Sequence, residues 1–377
     1  MAQFSINNVS IKGIASCVPD NRVDNIDNPM FTQEEFNKFY ESVGVRYRHV
    51  APDGLTTSDM CVAASEKLLS ELNWKASELD VIIFVTQTPD YRNPATSCII
   101  QDRLGASNQC VSLDVSLGCS GFVYGLSVIG NFLSSGNLKK GLLLVGDTAT
   151  QTSSPLDKSR ALLFGDAGTA TAVEFNENAI PWHFDLGTDG SGHKAIYTPH
   201  SGFRNRVTPE SFEMVDYGSG IVKANVHSWL DGLEVFSFGI SRAPKTVKQL
   251  LQTYSLDKDQ IDYFLFHQAN KQMNEKIRKK LDLSEDKVPY NIENFGNCSS
   301  ASIPLLMVSE ISNELKNGKV NLVMCGFGVG LSWGTCNIHL DQIVVCDLVQ
   351  IPVSKNQFGI KTIELLPLEG KIREKIV

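Results

Sequence analysis

The sequence has no stretch approaching the ~20 consecutive apolar residues of a membrane span. Its opening, Met1-Ala2-Gln3-Phe4-Ser5-Ile6-Asn7, carries neither the basic segment nor the apolar core of a secretory signal. A cytoplasmic protein with no membrane part is therefore expected. Paired cysteines are missing too: nine are scattered without a Cys-x-x-Cys spacing or a Cys/His cluster, which excludes a disulfide framework and a zinc site of the usual patterns. Positive charge is short, with 34 Lys and Arg against 42 Asp and Glu, so a nucleic-acid-binding face is not expected and an acidic partner needs a local basic patch. What the chain has is length, 377 residues, and an ordinary globular composition of 42% hydrophobic and 20% charged residues, enough for two domains or one large two-part fold.

The turn Ser116-Leu117-Gly118-Cys119-Ser120-Gly121-Phe122 stands between an apolar, β-branched run ending at Val115 and a helical-period segment over 121–133. A thiol at a helix N-terminus meets unpaired N–H groups and a favourable dipole, which promote thiolate, and the small neighbours leave room for a substrate. Cys119 is therefore a candidate nucleophile, although a lone cysteine more often simply packs in a core.

Periodicity predicts a strand over 4–17, a helix over 32–42 opened by Thr32, a helix over 57–72 capped by Thr57, a buried strand Val81–Val85, and a helix ending at Leu104 capped by Thr96 or Ser97. Strands alternating with helices imply a parallel sheet covered on both faces. The plan then repeats. Residues 79–84 resemble 261–266 at an offset of 182, and 142–146 resemble 322–326 at an offset of 180. Two copies of one α/β unit about a pseudo-twofold axis follow, with Cys119 and Cys298 at matching turns. The division expected is an N-terminal half over 1–175, a Gly-, Ser-, Pro- and His-containing excursion over 176–230 that walls a pocket, a C-terminal half over 231–340, and an extension over 341–377 ending in Lys371-Ile372-Arg373-Glu374-Lys375.

In the second copy Phe266-His267-Gln268-Ala269-Asn270 places His267 at the carboxyl end of a strand, where α/β sheets bind ligands. Asn297 lies in the polar turn that matches the Cys119 turn. If the copies face each other, Cys119, His267 and Asn297 converge on one cleft. The alternating glycines of Gly326-Phe327-Gly328-Val329-Gly330 free a backbone to approach a ligand and supply N–H donors there.

Gly118-Cys119-Ser120-Gly121, Phe164-Gly165-Asp166-Ala167-Gly168, His267-Gln268-Ala269-Asn270, Gly296-Asn297 with Ala301-Ser302-Ile303-Pro304, and Gly328-Val329-Gly330-Leu331-Ser332-Trp333-Gly334 together resemble the β-ketoacyl-acyl carrier protein synthase III family of thiolase-fold condensing enzymes, over about residues 11–340. The resemblance implies an α/β, thiolase-like, duplicated five-layer α-β-α-β-α fold acting as a homodimer in fatty acid or specialised acyl-chain synthesis. It implies that Cys119 takes the acyl group, that His267 and Asn297 bind the thioester carbonyl of a malonyl-carrier donor, and that the N–H groups of Cys119 and Gly330 hold the oxyanion. Substrates are acyl-CoA or acyl-carrier protein and malonyl-carrier protein, with no metal or redox cofactor.

An acidic carrier protein is expected to dock on the basic segment holding Lys271, Lys276, Arg278, Lys279 and Lys280. The sequence departs from the family where acetyl-CoA users clamp CoA: Lys38 and Ser42 stand at the Trp and Arg positions, Lys158 near a further Arg, and Gln272 at an Arg of the docking helix. A carrier-bound or unusual primer is therefore expected. Two readings stay open beside condensation. One is acyl transfer or thioester hydrolysis on the same fold. The other is a Cys-His-Asn hydrolase, whose His lies ~130–150 residues after the Cys as here, but whose signature is missing around Cys119.

Overall fold

The computed structural model describes residues 2–353. Its first sheet runs, edge to edge, through Val344–Val345 with Val349–Ile351, Val9–Pro19, Ala167–Phe175, Lys140–Asp147, Val81–Val85 and Val111–Val115. The second runs through Ala2–Ile6, Trp182–Thr188, Ser332–Asp341, Lys319–Gly328 and Tyr263–Phe266. The repeat is visible in the pairing. Val81–Val85 lies parallel to Lys140–Asp147, which pairs antiparallel with Ala167–Phe175; in the same way Tyr263–Phe266 lies parallel to Lys319–Gly328, which pairs antiparallel with Ser332–Asp341.

Both sheets are mixed, not parallel as the alternation of elements suggested. Only three residues separate Gly328 from Ser332, too few for a crossover, so the chain must return antiparallel. The all-apolar Val81–Val85 is buried at every residue, as a strand covered on both faces should be.

Helices Gly121–Leu133 and Ser302–Glu310 fill the space between the sheets. Phe122, Leu126, Ile129 and Leu133 from one and Ile303, Leu306 and Met307 from the other share a single core with strand residues of both sheets. Thr57–Leu72 and Thr96–Leu104 cover the outer face of the first sheet, and Gly232–Thr253 and Lys271–Lys280 that of the second. This is the five-layer α-β-α-β-α order.

Local chemistry refines several expected boundaries. The run expected as one strand over 4–17 is broken at Asn8, whose φ of 63° turns the chain from one sheet to the other. Thr56, not Thr57, caps the second helix, in a capping box with Asp59. Neither Thr96 nor Ser97 caps by its side chain; both donate backbone N–H groups to Asp114, at 2.7 and 2.8 Å, so a neighbouring strand supplies the cap.

The expected division at 175 does not follow the sheets either. Ala2–Ile6 and Trp182–Thr188 belong to the second, and Val344–Val345 and Val349–Ile351 to the first. The excursion therefore contains a core strand, and the extension returns to the N-terminal half. Residues 354–377, with Lys371 to Lys375, lie outside the described residues.

Candidate active site

A cavity of about 440 Å³ opens between the two halves, and Cys119, His267 and Asn297 all line it. Ile196, Tyr197, Thr198 and Ser201, from the excursion, form part of its wall. Cys119 stands one residue before the Ser120 cap of Gly121–Leu133, at the end of a helix that both sheets hold. Its matching residue is differently placed: Cys298 is 1% exposed, packs with Val18, Ala167, Phe295 and Leu305, and gives its thiol hydrogen to the Phe295 carbonyl at 3.4 Å. Of the two duplicated cysteines only Cys119 faces the cavity.

The helix terminus does not make Cys119 a resting thiolate. Burial pushes its thiol up to about 11, opposed by the Val329 N–H, with Asp147 adding further negative charge nearby. Desolvation of the anion outweighs the helix-end donors here. Two backbone N–H groups face the sulfur, its own and that of Val329.

Val329 lines the cavity, whereas Gly330, the donor expected from the sequence, is not among its lining residues. The Ser332 hydroxyl holds the next peptide: Ser332 Oγ donates to the Val329 carbonyl at 2.7 Å and lies 2.7 Å from Ser120 Oγ.

His267 follows Tyr263–Phe266 directly, is 1% exposed, and stands edge-on to Phe327. Burial draws its imidazole down to about 4, with a hydrogen bond to the Ser299 backbone working the other way, so the ring is neutral at neutral pH. Its Nδ1 lies 2.7 Å from the Ser302 hydroxyl. The Asn297 backbone is clasped by the Phe164 loop, its N–H donating to the Leu163 carbonyl at 2.9 Å and its carbonyl accepting from Gly165 at 3.2 Å. A Cβ on Gly165 would stand 2.1 Å from the Phe295 carbonyl oxygen, which explains a glycine in that motif. Asn297 Oδ1 accepts from the Ser299 N–H at 2.9 Å, which leaves the two amide hydrogens of the side chain for a ligand.

Ser299, Ser302, Ser332 and Val329 were not singled out from the sequence as functional. The motif residues around them pointed there, but which backbone or hydroxyl group faces the site depends on tertiary packing.

The basic helix Lys271–Lys280 exposes Lys271, Lys276, Lys279 and Lys280. Arg278, counted among the docking residues, is instead turned inward: it pairs with Glu275 at 2.8 Å and Glu285 at 3.0 Å and donates to the Leu283 carbonyl at 2.8 Å. At the expected CoA clamp, Lys38 pairs with Glu34 at 2.7 Å and Lys158 with Glu35 at 2.9 Å.

Comparison with known proteins agrees with this architecture. Residues 113–190 match the model of 3-oxoacyl-[acyl-carrier-protein] synthase III, and residues 251–340 that of its C-terminal region. β-Ketoacyl-[acyl-carrier-protein] synthase III of Oceanobacillus iheyensis is 33% identical over 332 residues, covering 87% of this chain and 97% of that protein. The crystal structure of a 3-oxoacyl-(acyl-carrier protein) synthase from Burkholderia xenovorans LB400 is 37% identical with a TM-score of 0.86, covering 93% of this chain and 99% of that one. Synthase III of Pseudomonas aeruginosa PAO1 is 27% identical with a TM-score of 0.78, covering 90% and 100%. The duplicated five-layer fold and this likeness over nearly the whole length of its relatives place the chain in the β-ketoacyl-[acyl-carrier-protein] synthase III family.

Proposed function

We propose that the protein catalyses decarboxylative condensation of an acyl-Cys119 thioester with a malonyl-carrier protein. The observation that carries this reading is the meeting of Cys119, His267 and Asn297 on one cavity, with Asn297 held through Oδ1 and its amide N–H groups without a partner among the described residues. In the first half-reaction the Cys119 sulfur attacks the primer thioester carbonyl. A new S–C bond forms, and the primer's own thiol departs carrying the proton of Cys119. The transient oxyanion falls to the N–H groups of Cys119 and Val329, each such donor contributing about 2.7–4 kcal/mol in a transition state.

In the second half-reaction the malonyl thioester oxygen lies between His267 and Asn297. In the tautomer in which the Ser302 hydroxyl donates to Nδ1, Nε2 carries the ring proton and donates to that oxygen beside the Asn297 amide. The C–C bond to the carboxylate breaks, CO2 leaves, and its electron pair becomes an enolate held by these donors in a site poor in water. The enolate carbon attacks the acyl-Cys119 carbonyl, Cys119 departs as thiolate, and a β-ketoacyl-carrier product results. Cys119 takes up a proton from solvent, so each cycle consumes one proton. These steps use side chains and backbone donors alone.

The exposed Lys271, Lys276, Lys279 and Lys280 suit an acidic carrier protein, whereas the lysines at the usual CoA clamp are already paired with glutamates. Carrier-bound thioesters are therefore the preferred substrates in this reading. A homodimer in the cytoplasm completes it. The edge strand Val111–Val115 pairs on one side only among the described residues, and all nine cysteines are free, as suits a reducing compartment.

The test follows acyl-enzyme formation by intact mass and CO2 release separately. Cys119→Ala should abolish the adduct. His267→Ala and Asn297→Ala should retain it but lose decarboxylation by about 10²–10³-fold. An adduct that persists in Cys119→Ala, or equal loss of both steps in the other two variants, would overturn the assignment.

A further inference from the structure

We infer that Arg160 selects the primer, by receiving a carboxylate carried on the acyl chain away from the thioester. The inference rests on Cys119 as the acylated residue and adds the class of acyl group. Arg160 lines the same cavity as Cys119 and is 4% exposed. Its guanidinium is held on two sides, with Cζ 4.5 Å from the Phe164 ring centroid and Nε donating to Ser153 Oγ at 3.0 Å. Nη1, buried, has no hydrogen-bond partner among the described residues. A guanidinium fixed in position with an N–H to spare is a preformed donor site for an oxygen.

Charge balance decides what kind of oxygen. The carboxylate beside Arg160 is Asp157, fully buried, and its oxygens are engaged elsewhere: Oδ2 accepts from Lys223 Nζ at 3.1 Å and Oδ1 from the Ser159 N–H at 3.0 Å and hydroxyl. Lys223 is itself 3% exposed. Two buried cations thus share Asp157, while the cavity's other buried carboxylate, Asp147, is engaged by Thr86, the Gln87 N–H and Ser300. Burial draws Arg160 down to about 10, with Asp157 pulling the other way, so it remains charged at neutral pH. An uncompensated charge in such a place is costly, and a substrate carboxylate removes the cost.

The malonyl donor also brings a carboxylate, but that group must leave as neutral CO2. A buried cation gripping it would stabilise the ground state more than the transition state and slow the reaction. The carboxylate that gains from Arg160 is one that survives the cycle, on the primer.

The experiment compares glutaryl- and valeryl-pantetheine, equal in chain length, by the rate at which each adds its mass to Cys119. Wild-type enzyme should favour glutaryl at least about tenfold, as expected for a charge-assisted pair. The ratio should collapse in Arg160→Met and recover partly in Arg160→Lys. If those variants fail to fold, Cys119→Ser, which keeps Arg160, should bind glutaryl-pantetheine more tightly than valeryl-pantetheine by calorimetry. Valeryl loading as fast as glutaryl in the wild type, or a ratio unmoved in a folded Arg160→Met, overturns the role of Arg160 alone. Equal calorimetric affinities in Cys119→Ser do the same. No adduct on Cys119 from any thioester, carrier-bound ones included, overturns the condensing reading and this inference with it.

Discussion

A Cβ on Gly328 would stand 2.7 Å from the sulfur of Cys119 and 2.6 Å from its Cβ. No real side-chain carbon tolerates that approach, so either the nucleophile or the end of strand Lys319–Gly328 would have to move. Gly328→Ala should therefore lose acyl loading by about 10²-fold, because displacement near a reacting atom has that cost. Its stability should fall only by the ~1–3 kcal/mol of a local overpacking. Intact-mass kinetics and a denaturant titration read the two effects separately. Loading at the wild-type rate would mean that the close contact is dispensable.

The raised thiol of Cys119 has a consequence for pH. The nucleophile is the thiolate, and in the free enzyme it becomes the majority form only above the raised value of about 11. Alkylation of Cys119 by iodoacetamide, read by peptide mass spectrometry, should therefore climb roughly tenfold per pH unit from neutrality upward, without levelling near the ~8.5 of an ordinary cysteine. A plateau below pH 8 would show that the helix terminus prevails over burial.

The two neighbours Arg278 and Lys279 should separate cleanly. Lys279→Glu puts an acidic group on an exposed face, so kcat/KM for carrier-bound thioesters should drop several-fold, more at low salt, with a smaller loss for pantetheine thioesters. Arg278→Glu breaks pairs with Glu275 and Glu285 and should show first as a lower Tm. Equal effects of Lys279→Glu on both substrate types would place the carrier elsewhere.

Much of the site was legible in the sequence because its parts stand at element ends that patterning marks well. An apolar run, a small-residue turn and a helical period located Cys119, and the repeat offset located its counterpart region with Asn297. His267 was found by the strand that precedes it. The rest depended on contacts between distant residues. Alternating glycines announced a close backbone, but which of its N–H groups faces Cys119, that of Val329, is set by tertiary packing. Charge in a helix announced a surface, but Arg278 folds back onto Glu275 and Glu285. Arg160 carried no motif, and only its burial in the cavity wall sets it apart. The antiparallel return after Gly328 is written in the short connection to Ser332, which hydrophobic periodicity does not register.

The strands Val344–Val345 and Val349–Ile351 work as a hasp on the fold. The family match ends at residue 340, yet beyond it Cys346 N–H donates to the Ile14 carbonyl at 3.0 Å, the Ile351 carbonyl accepts from Asp20 at 2.9 Å, and Val353 N–H donates to Asp20 at 2.8 Å. The last described strands are thus laced to Val9–Pro19 along one margin of the first sheet. Without that lacing the long strand Val9–Pro19 would present a bare row of peptide groups, a template for pairing with any neighbouring chain. Trimming the protein to its family-matched region would therefore put its solubility at risk before its chemistry.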